Sequence, residues 1–236
     1  MSRSHCQTVA VSVGHHVREH RSVLAAVEKR ALVWIAQRLP SAVTPDHLTA
    51  LGAAAMLGAG AAFAATPLSR WALALVPIFL AINWFGDSLD GTLARVRDQQ
   101  RPRYGFYVDH VVDIANATML FGGMAVSAVV SPWIAVSLLV AYLLLCAESF
   151  LATHVLGVFR LSFSGFGPTE LRIVLAIGSL AAIGRPVVRP FGLGDFRLFD
   201  VGGIVATIAM VAVFVISALR NTRALYIAEP LPTQSR

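Results

Sequence analysis

Lysine is almost absent from this 236-residue chain. Lys29 is the single one among 19 basic residues, so the formal charge of +6 rests on arginine. Charge of either sign is scarce, at 14% of residues against 56% apolar. Average globular chains carry about 25% charged residues. Here the apolar residues also come in long blocks, which excludes an ordinary soluble domain and implies membrane spans. Cysteine is nearly missing too: Cys6 lies in a polar tail and Cys146 inside an apolar run, so there is no disulfide framework. Residues 1–20 lack the apolar core of a secretory signal, and the first true span is expected to act as the insertion signal. The arginines sit beside apolar blocks, where the positive-inside bias and anionic headgroups explain them better than nucleic acid does. No nucleic-acid partner is expected.

What the chain does contain is helical apolar periodicity. Residues 1–19 read as a poorly ordered tail and 226–236 as a C-terminal one. Within 20–40, Leu24, Val27, Ala31, Ile35 and Leu39 recur at helical spacing with basic residues between them. That pattern fits an amphipathic helix on the membrane surface, or equally a helix packed on a bundle. Six candidate spans follow near 48–66, 71–92, 105–130, 133–156, 169–184 and 200–222, an all-α membrane bundle occupying 41–225. The fifth is the weakest, because only a short apolar run follows Arg172. Residues 157–168 and 185–199 read as Gly/Pro-containing loops. Arg18, Arg21, Lys29, Arg30 and Arg38 precede span one, Arg95, Arg97, Arg101 and Arg103 follow span two, and Arg220 and Arg223 end span six. Six crossings put all three groups on one side, which is then cytoplasmic. Arg185, Arg189 and Arg197 fall on the other side, against the rule. Trp71, Trp84 and Trp133 suit interfacial anchors.

The charges concentrate in one stretch, DSLDGTLARVRDQQRPRYGFYVDHVVD, from Asp87 to Asp113. Asp87 and Asp90 are three apart near the end of span two, and Asp109 and Asp113 four apart at the start of span three. Each pair therefore shares a helix face. Four carboxylates on neighbouring helix ends would repel one another and resist desolvation. Mg²⁺ or Mn²⁺ relieves both penalties, and four acids suggest two ions. Asp–Arg pairs closing helix ends would account for any one acid, but not for four at helical spacing. Gly91 and Gly105 allow close backbone approach by a ligand or a neighbouring helix, and Arg95 offers a planar fork for phosphate. Together these point to a diphosphate ligand. Arg97, Arg101 and Arg103 are assigned mainly to topology and the anionic surface, and Asp98 to a solvated loop.

The pattern Asp87–x2–Asp90–Gly91–x2–Ala94–Arg95, then nine residues, then Gly105–x3–Asp109–x3–Asp113, resembles the signature of the CDP-alcohol phosphatidyltransferase family. TPDHLT, Thr44 to Thr49, resembles that family's TPN-type opening of span one, with Asp46 in place of the asparagine. The resemblance implies a two-metal centre on Asp87, Asp90, Asp109 and Asp113, and a CDP pocket lined by Gly91, Ala94, Arg95 and Gly105. It implies Asp113 as the base that takes the proton from the acceptor hydroxyl. The expected activity is transfer of a substituted phosphate from a CDP-linked donor, either CDP-diacylglycerol or a CDP-alcohol, with release of CMP. A homodimer is implied by the same resemblance.

Further polar residues lie towards the same side. Glu148 is a candidate for the acceptor or lipid site, or a buried partner for an arginine. Arg160 suits a phosphate of lipid or acceptor. Thr169, Glu170 and Arg172 open span five in GPTELR, a segment similar to one in choline and ethanolamine phosphotransferases of the family. Pro168 and Thr169 would also simply start a helix, with Glu170 favoured by its dipole. The alternative from another class is a divalent-cation transporter, although the acids cluster at one end and spans one and six carry no charge to continue a path. Short loops point to a bacterial plasma membrane, with the site facing the cytoplasm.

Overall fold

A computed structural model of the chain describes residues 23–156, 168–192 and 194–229. Among them are seven α-helices: α1 (Val23–Ala36), α2 (Pro45–Ala64), α3 (Leu75–Val96), α4 (Pro102–Ala125), α5 (Pro132–Leu156), α6 (Pro168–Gly184) and α7 (Leu198–Ala228). Helices α2 to α7 occupy the six apolar blocks, with α7 running further at its C-terminal end. Proline marks the starts of α2, α4, α5 and α6, where its missing N–H would have had no intrahelical acceptor. Thr44 completes the start of α2. Its hydroxyl accepts from the His47 N–H at 3.2 Å while its own N–H donates to His47 Nδ1 at 3.3 Å, a capping box with histidine in the glutamate position. Asp98 is exposed but does more than sit in a loop. It takes φ +52° directly after α3, and the Gln99 N–H turns back to the Ala94 carbonyl at 2.9 Å. That left-handed step, which aspartate tolerates better than most residues, ends the helix.

Helix α2 is central and packs against α3 and α4. Glycine makes both contacts close. A Cβ on Gly86 of α3 would stand 2.5 Å from the Leu48 carbonyl and 2.9 Å from Gly52 N, and one on Gly123 of α4 would run into the Gly60 backbone. Such backbone-to-backbone approach is how helices associate when lipid removes the hydrophobic drive between them. Around the Gly60–Gly123 contact lies an apolar core that includes Phe63, Leu73, Leu80, Leu120, Phe121, Met124 and Phe199, with Phe63 and Phe199 edge to face at 5.4 Å.

Helix α1 packs on the bundle through a second cluster of Leu32, Ala36, Leu48, Leu89 and Leu93, with Ile35 and Leu39 half-buried around it. The stripe sits one residue away from the predicted one at its middle: Ala31 is exposed and Leu32 buried. The larger side chain reaches Leu89 and Leu93 on α3, and this contact sets the register. On the outer face Trp34 is exposed, with the Arg38 guanidinium 4.0 Å from its ring centre.

Among the described residues, four helical segments are long and apolar enough to cross a membrane: α2, α3 with the 3₁₀ turn that precedes it, α5 and α7. Helix α6 has 17 residues, about 25 Å at 1.5 Å per residue, short of a ~30 Å hydrocarbon core. Helix α4 carries Arg103, Asp109 and Asp113. On α7, Ile204, Val205, Ile208, Val215, Ile216 and Leu219 are exposed, as on a lipid-facing helix. Residues 185–197, predicted as loop, include a two-stranded antiparallel hairpin, β1 (Val187–Val188) with β2 (Phe196–Arg197). Gly192 and Gly194 turn it at φ +76° and +120°, and Arg189 pairs with Asp195 across it. Strands of two residues are too short for alternation to reveal.

Candidate active site

The glycine contacts bring the acid-bearing ends of α3 and α4 together beside α2. Asp87 directly follows Gly86, so the closest α2–α3 approach fixes its height. One carboxylate oxygen from each of Asp87, Asp109 and Asp113 lies within 4.8 Å of the others. With Asp90 and Asn116 they line a cavity of about 10 Å³, room for a single water-sized guest. Asp90 shares the wall but turns towards α2. Its Oδ2 accepts from the Thr49 hydroxyl at 2.6 Å, and its Oδ1 from the N–H of Gly91. The four acids are thus arranged as three and one.

Behind Asp87 stands Arg172 of α6. Its Nη2 donates to Asp87 Oδ2 at 2.7 Å and its Nε to Asn83 Oδ1 at 2.9 Å, while Asn83 Nδ2 donates to the Gly52 carbonyl at 3.0 Å. Thr169 and Glu170 occupy the opening turn of the same helix. Glu148 is buried on α5 outside the cavity wall. It accepts from Ser217 Oγ at 2.8 Å and Asn221 Nδ2 at 2.6 Å, both on α7, so its partners are neutral donors rather than an arginine. Arg160 lies outside the described residues.

Gly91 and Gly105 both lie open. A Cβ on Gly91 would meet only the end of the Arg95 side chain at 3.5 Å, and one on Gly105 would meet nothing within 4 Å. Packing among the described residues therefore does not require either glycine. Arg95 is exposed and donates to Thr92 Oγ at 3.1 Å, with Ala94 half-buried beside it. The arginines assigned to topology do structural work as well. Arg97 donates to the carbonyls of Val43, Leu39 and Pro40, closing the α1–α2 linker onto α3. Arg101 makes a two-oxygen pair with Asp46 at 2.7 and 2.8 Å, and that hydrogen bonding raises its guanidinium pKa.

Three residues at the site were missed by sequence reasoning. Thr49 was visible only as part of TPDHLT. Asn83 is an amide inside an apolar span, a signal that marks function or pairing. Asn116 falls one turn after Asp113, on the same face.

The sequence profile of the CDP-alcohol phosphatidyltransferases matches residues 42–217. The chain belongs to the CDP-alcohol phosphatidyltransferase family. It is an integral membrane enzyme that transfers a substituted phosphate from a CDP-linked donor to a hydroxyl acceptor and releases CMP, which decides against the transporter alternative. No curated protein matches the sequence. Among solved structures, the fold is similar to the crystal structure of Mycobacterium tuberculosis phosphatidylinositol phosphate synthase (PgsA1) with CDP-DAG bound. The TM-score is 0.57 at 20% identity, over 84% of this chain and 94% of that one.

Enzymes of this family generally require a divalent metal, and the residues present fit one. The cavity offers carboxylate oxygens from two helices, the donors that Mg²⁺ and Mn²⁺ prefer. Asn116 adds a buried Oδ1 that has no hydrogen-bond partner among the described residues.

Proposed function

We propose that this CDP-alcohol phosphatidyltransferase passes the phosphatidyl group of CDP-diacylglycerol to a small polar alcohol, at a two-metal centre on Asp87, Asp90, Asp109 and Asp113. The observation that carries the reading is the convergence of three carboxylates within 4.8 Å at the adjoining ends of α3 and α4. The choice of donor is supported by the fold shared with a synthase crystallised with CDP-DAG. Bound Mg²⁺ or Mn²⁺ would neutralise charge on the diphosphate and on the departing CMP.

The chain's own residues supply the rest. Gly91 and Gly105 let the donor's diphosphate approach the ends of α3 and α4 without meeting a side chain, and Ala94 keeps that surface shallow. Arg95 presents its guanidinium to a phosphate oxygen. Asp113 accepts the proton of the acceptor hydroxyl, whose oxygen forms the new bond to phosphorus as the bond to the bridging oxygen breaks. CMP leaves with that electron pair. The acceptor side is assigned to Thr169 and Glu170 in the opening turn of α6 and to Arg172 beside Asp87, with Glu148 and Arg160 as further candidates from the sequence. Six helices, α2 to α7, cross a bacterial plasma membrane with the acids at the cytoplasmic face, and the enzyme is a homodimer.

A second donor reading draws on Glu170, an exposed acid in the first turn of α6. Such an acid would suit a CDP-amino alcohol giving its headgroup to diacylglycerol. The full chain in lipid nanodiscs, given each labelled CDP donor with Mn²⁺ and a panel of acceptors, separates the two. CMP release from CDP-diacylglycerol only when a polar alcohol is present is expected. Release from CDP-choline or CDP-ethanolamine with diacylglycerol would reverse the donor assignment, and no turnover with any donor would sink the function.

A further inference from the structure

Resting on the metal-centre reading above, we infer that Arg172 is a positioning residue that holds Asp87 in its metal-binding orientation and ties α6 to the centre. Its side chain is 15% exposed and that of Asp87 34%, so the arginine is largely withdrawn from water and the carboxylate partly so. The guanidinium carries donors in a rigid fork, and two of them are used in different directions. Nη2 reaches Asp87 Oδ2 at 2.7 Å, and Nε reaches Asn83 Oδ1 at 2.9 Å.

Asn83 makes this arrangement directional. It is fully buried, and its Nδ2 donates to the Gly52 carbonyl at 3.0 Å. Turning the amide over would set its NH₂ against the Arg172 N–H and its oxygen against the Gly52 oxygen, two donor–donor and acceptor–acceptor clashes. The amide is thus fixed, and it fixes the guanidinium, which in turn occupies one oxygen of Asp87 and leaves the other for an ion. The relay runs from the α2 backbone through α3 to α6 and back to the acid on α3. Thr49 does the same for Asp90 in a single step from α2. Each acid of α3 is therefore held by a donor from another helix. Outer partners of this kind typically change metal affinity by 10–100-fold.

The test is Mn²⁺ titration of the full chain in nanodiscs, following the loss of the free-ion signal by electron paramagnetic resonance. Arg172→Gln should weaken Mn²⁺ binding by about ten-fold or more. Arg172→Lys should recover part of that affinity, because an ammonium reaches Asp87 but cannot also serve Asn83. Asn83→Ala keeps Arg172 and loosens it, and should weaken binding in the same direction by a smaller factor. This variant keeps the test open if Arg172→Gln does not fold. Wild-type affinity in either folded variant overturns the assignment. Tighter binding overturns it too, since Arg172 would then compete with the ion rather than orient its ligand. Failure of the unmodified chain to bind Mn²⁺ would instead count against the metal centre itself.

Discussion

At the scale of single residues, the four acids are chemically alike and differ in what holds them. Asp113 shares the cavity centre with Asp87 and Asp109 and is the proposed base. Asp113→Asn keeps a carbonyl oxygen towards the cavity and loses the proton acceptor, so transfer should fall by roughly 10²–10⁴-fold. Binding of labelled CDP donor should survive. Normal turnover in that variant would move the base elsewhere. Asp90 is held by the Thr49 hydroxyl at 2.6 Å. Thr49→Val keeps the shape and removes the donor, and the Mn²⁺ concentration for half-maximal transfer should rise about ten-fold, with little loss of rate at saturating metal. An unchanged metal requirement would mean that α3 alone orients Asp90. The acids were legible because their spacing along two helices is local information. Their partners were not: Thr49 is 41 residues from Asp90, and Arg172 is 85 from Asp87, and only packing brings them together.

At the scale of helices, glycine has two separate uses near the site. Gly86 lies where α3 touches α2, and a Cβ there has no room against the Leu48 carbonyl and Gly52. Gly86→Ala should therefore destabilise the bundle, by about 1–3 kcal/mol for overpacking, and should lower transfer because Asp87 moves with its neighbour. Gly105 has nothing within 4 Å of its missing Cβ. Gly105→Ala should not lower thermal stability, since alanine favours the helix, and should raise the KM for the CDP donor, since only a ligand would meet the added methyl. Equal loss of stability in both variants would remove the distinction. The positions of α2 to α7 could be read from apolar blocks and from prolines at helix starts. Which glycines were contacts and which were open could not, because both kinds occur in the same sequence setting. The stripe of α1 was misplaced for a related reason. Ala31 and Leu32 both fit a helical period, and Leu89 and Leu93 on α3 decided between them.

At the scale of the whole molecule, the number of helices that cross the membrane sets which loops share a side with the acids. Among the described residues four segments qualify by length and composition, and α4 and α6 carry the remaining two crossings of the proposed topology. If all six cross, residues 97–101 and 185–197 lie on opposite sides. Arginine counts favour the first group as cytoplasmic. The hairpin's Arg185, Arg189 and Arg197 oppose that assignment, and since the bias counts arginine and lysine, the pairing of Arg189 with Asp195 does not remove the opposition. Exposed Trp71 and Trp133, at the starts of the segment leading into α3 and of α5, suit the interface on the hairpin's side. With Cys6 and Cys146 replaced by serine and alanine, single cysteines at Gln100 and the exposed Val187 would report on the two faces. A membrane-impermeant maleimide applied to intact cells should label Val187→Cys and spare Gln100→Cys, with the pattern completed after permeabilisation. Labelling of both positions from outside would mean that an odd number of α4, α5 and α6 fails to cross. The short α6 would then be the first to reconsider, since its 17 residues fall below the thickness of the hydrocarbon core. In that case Arg172 would approach Asp87 from a helix lying partly within the bilayer rather than through it.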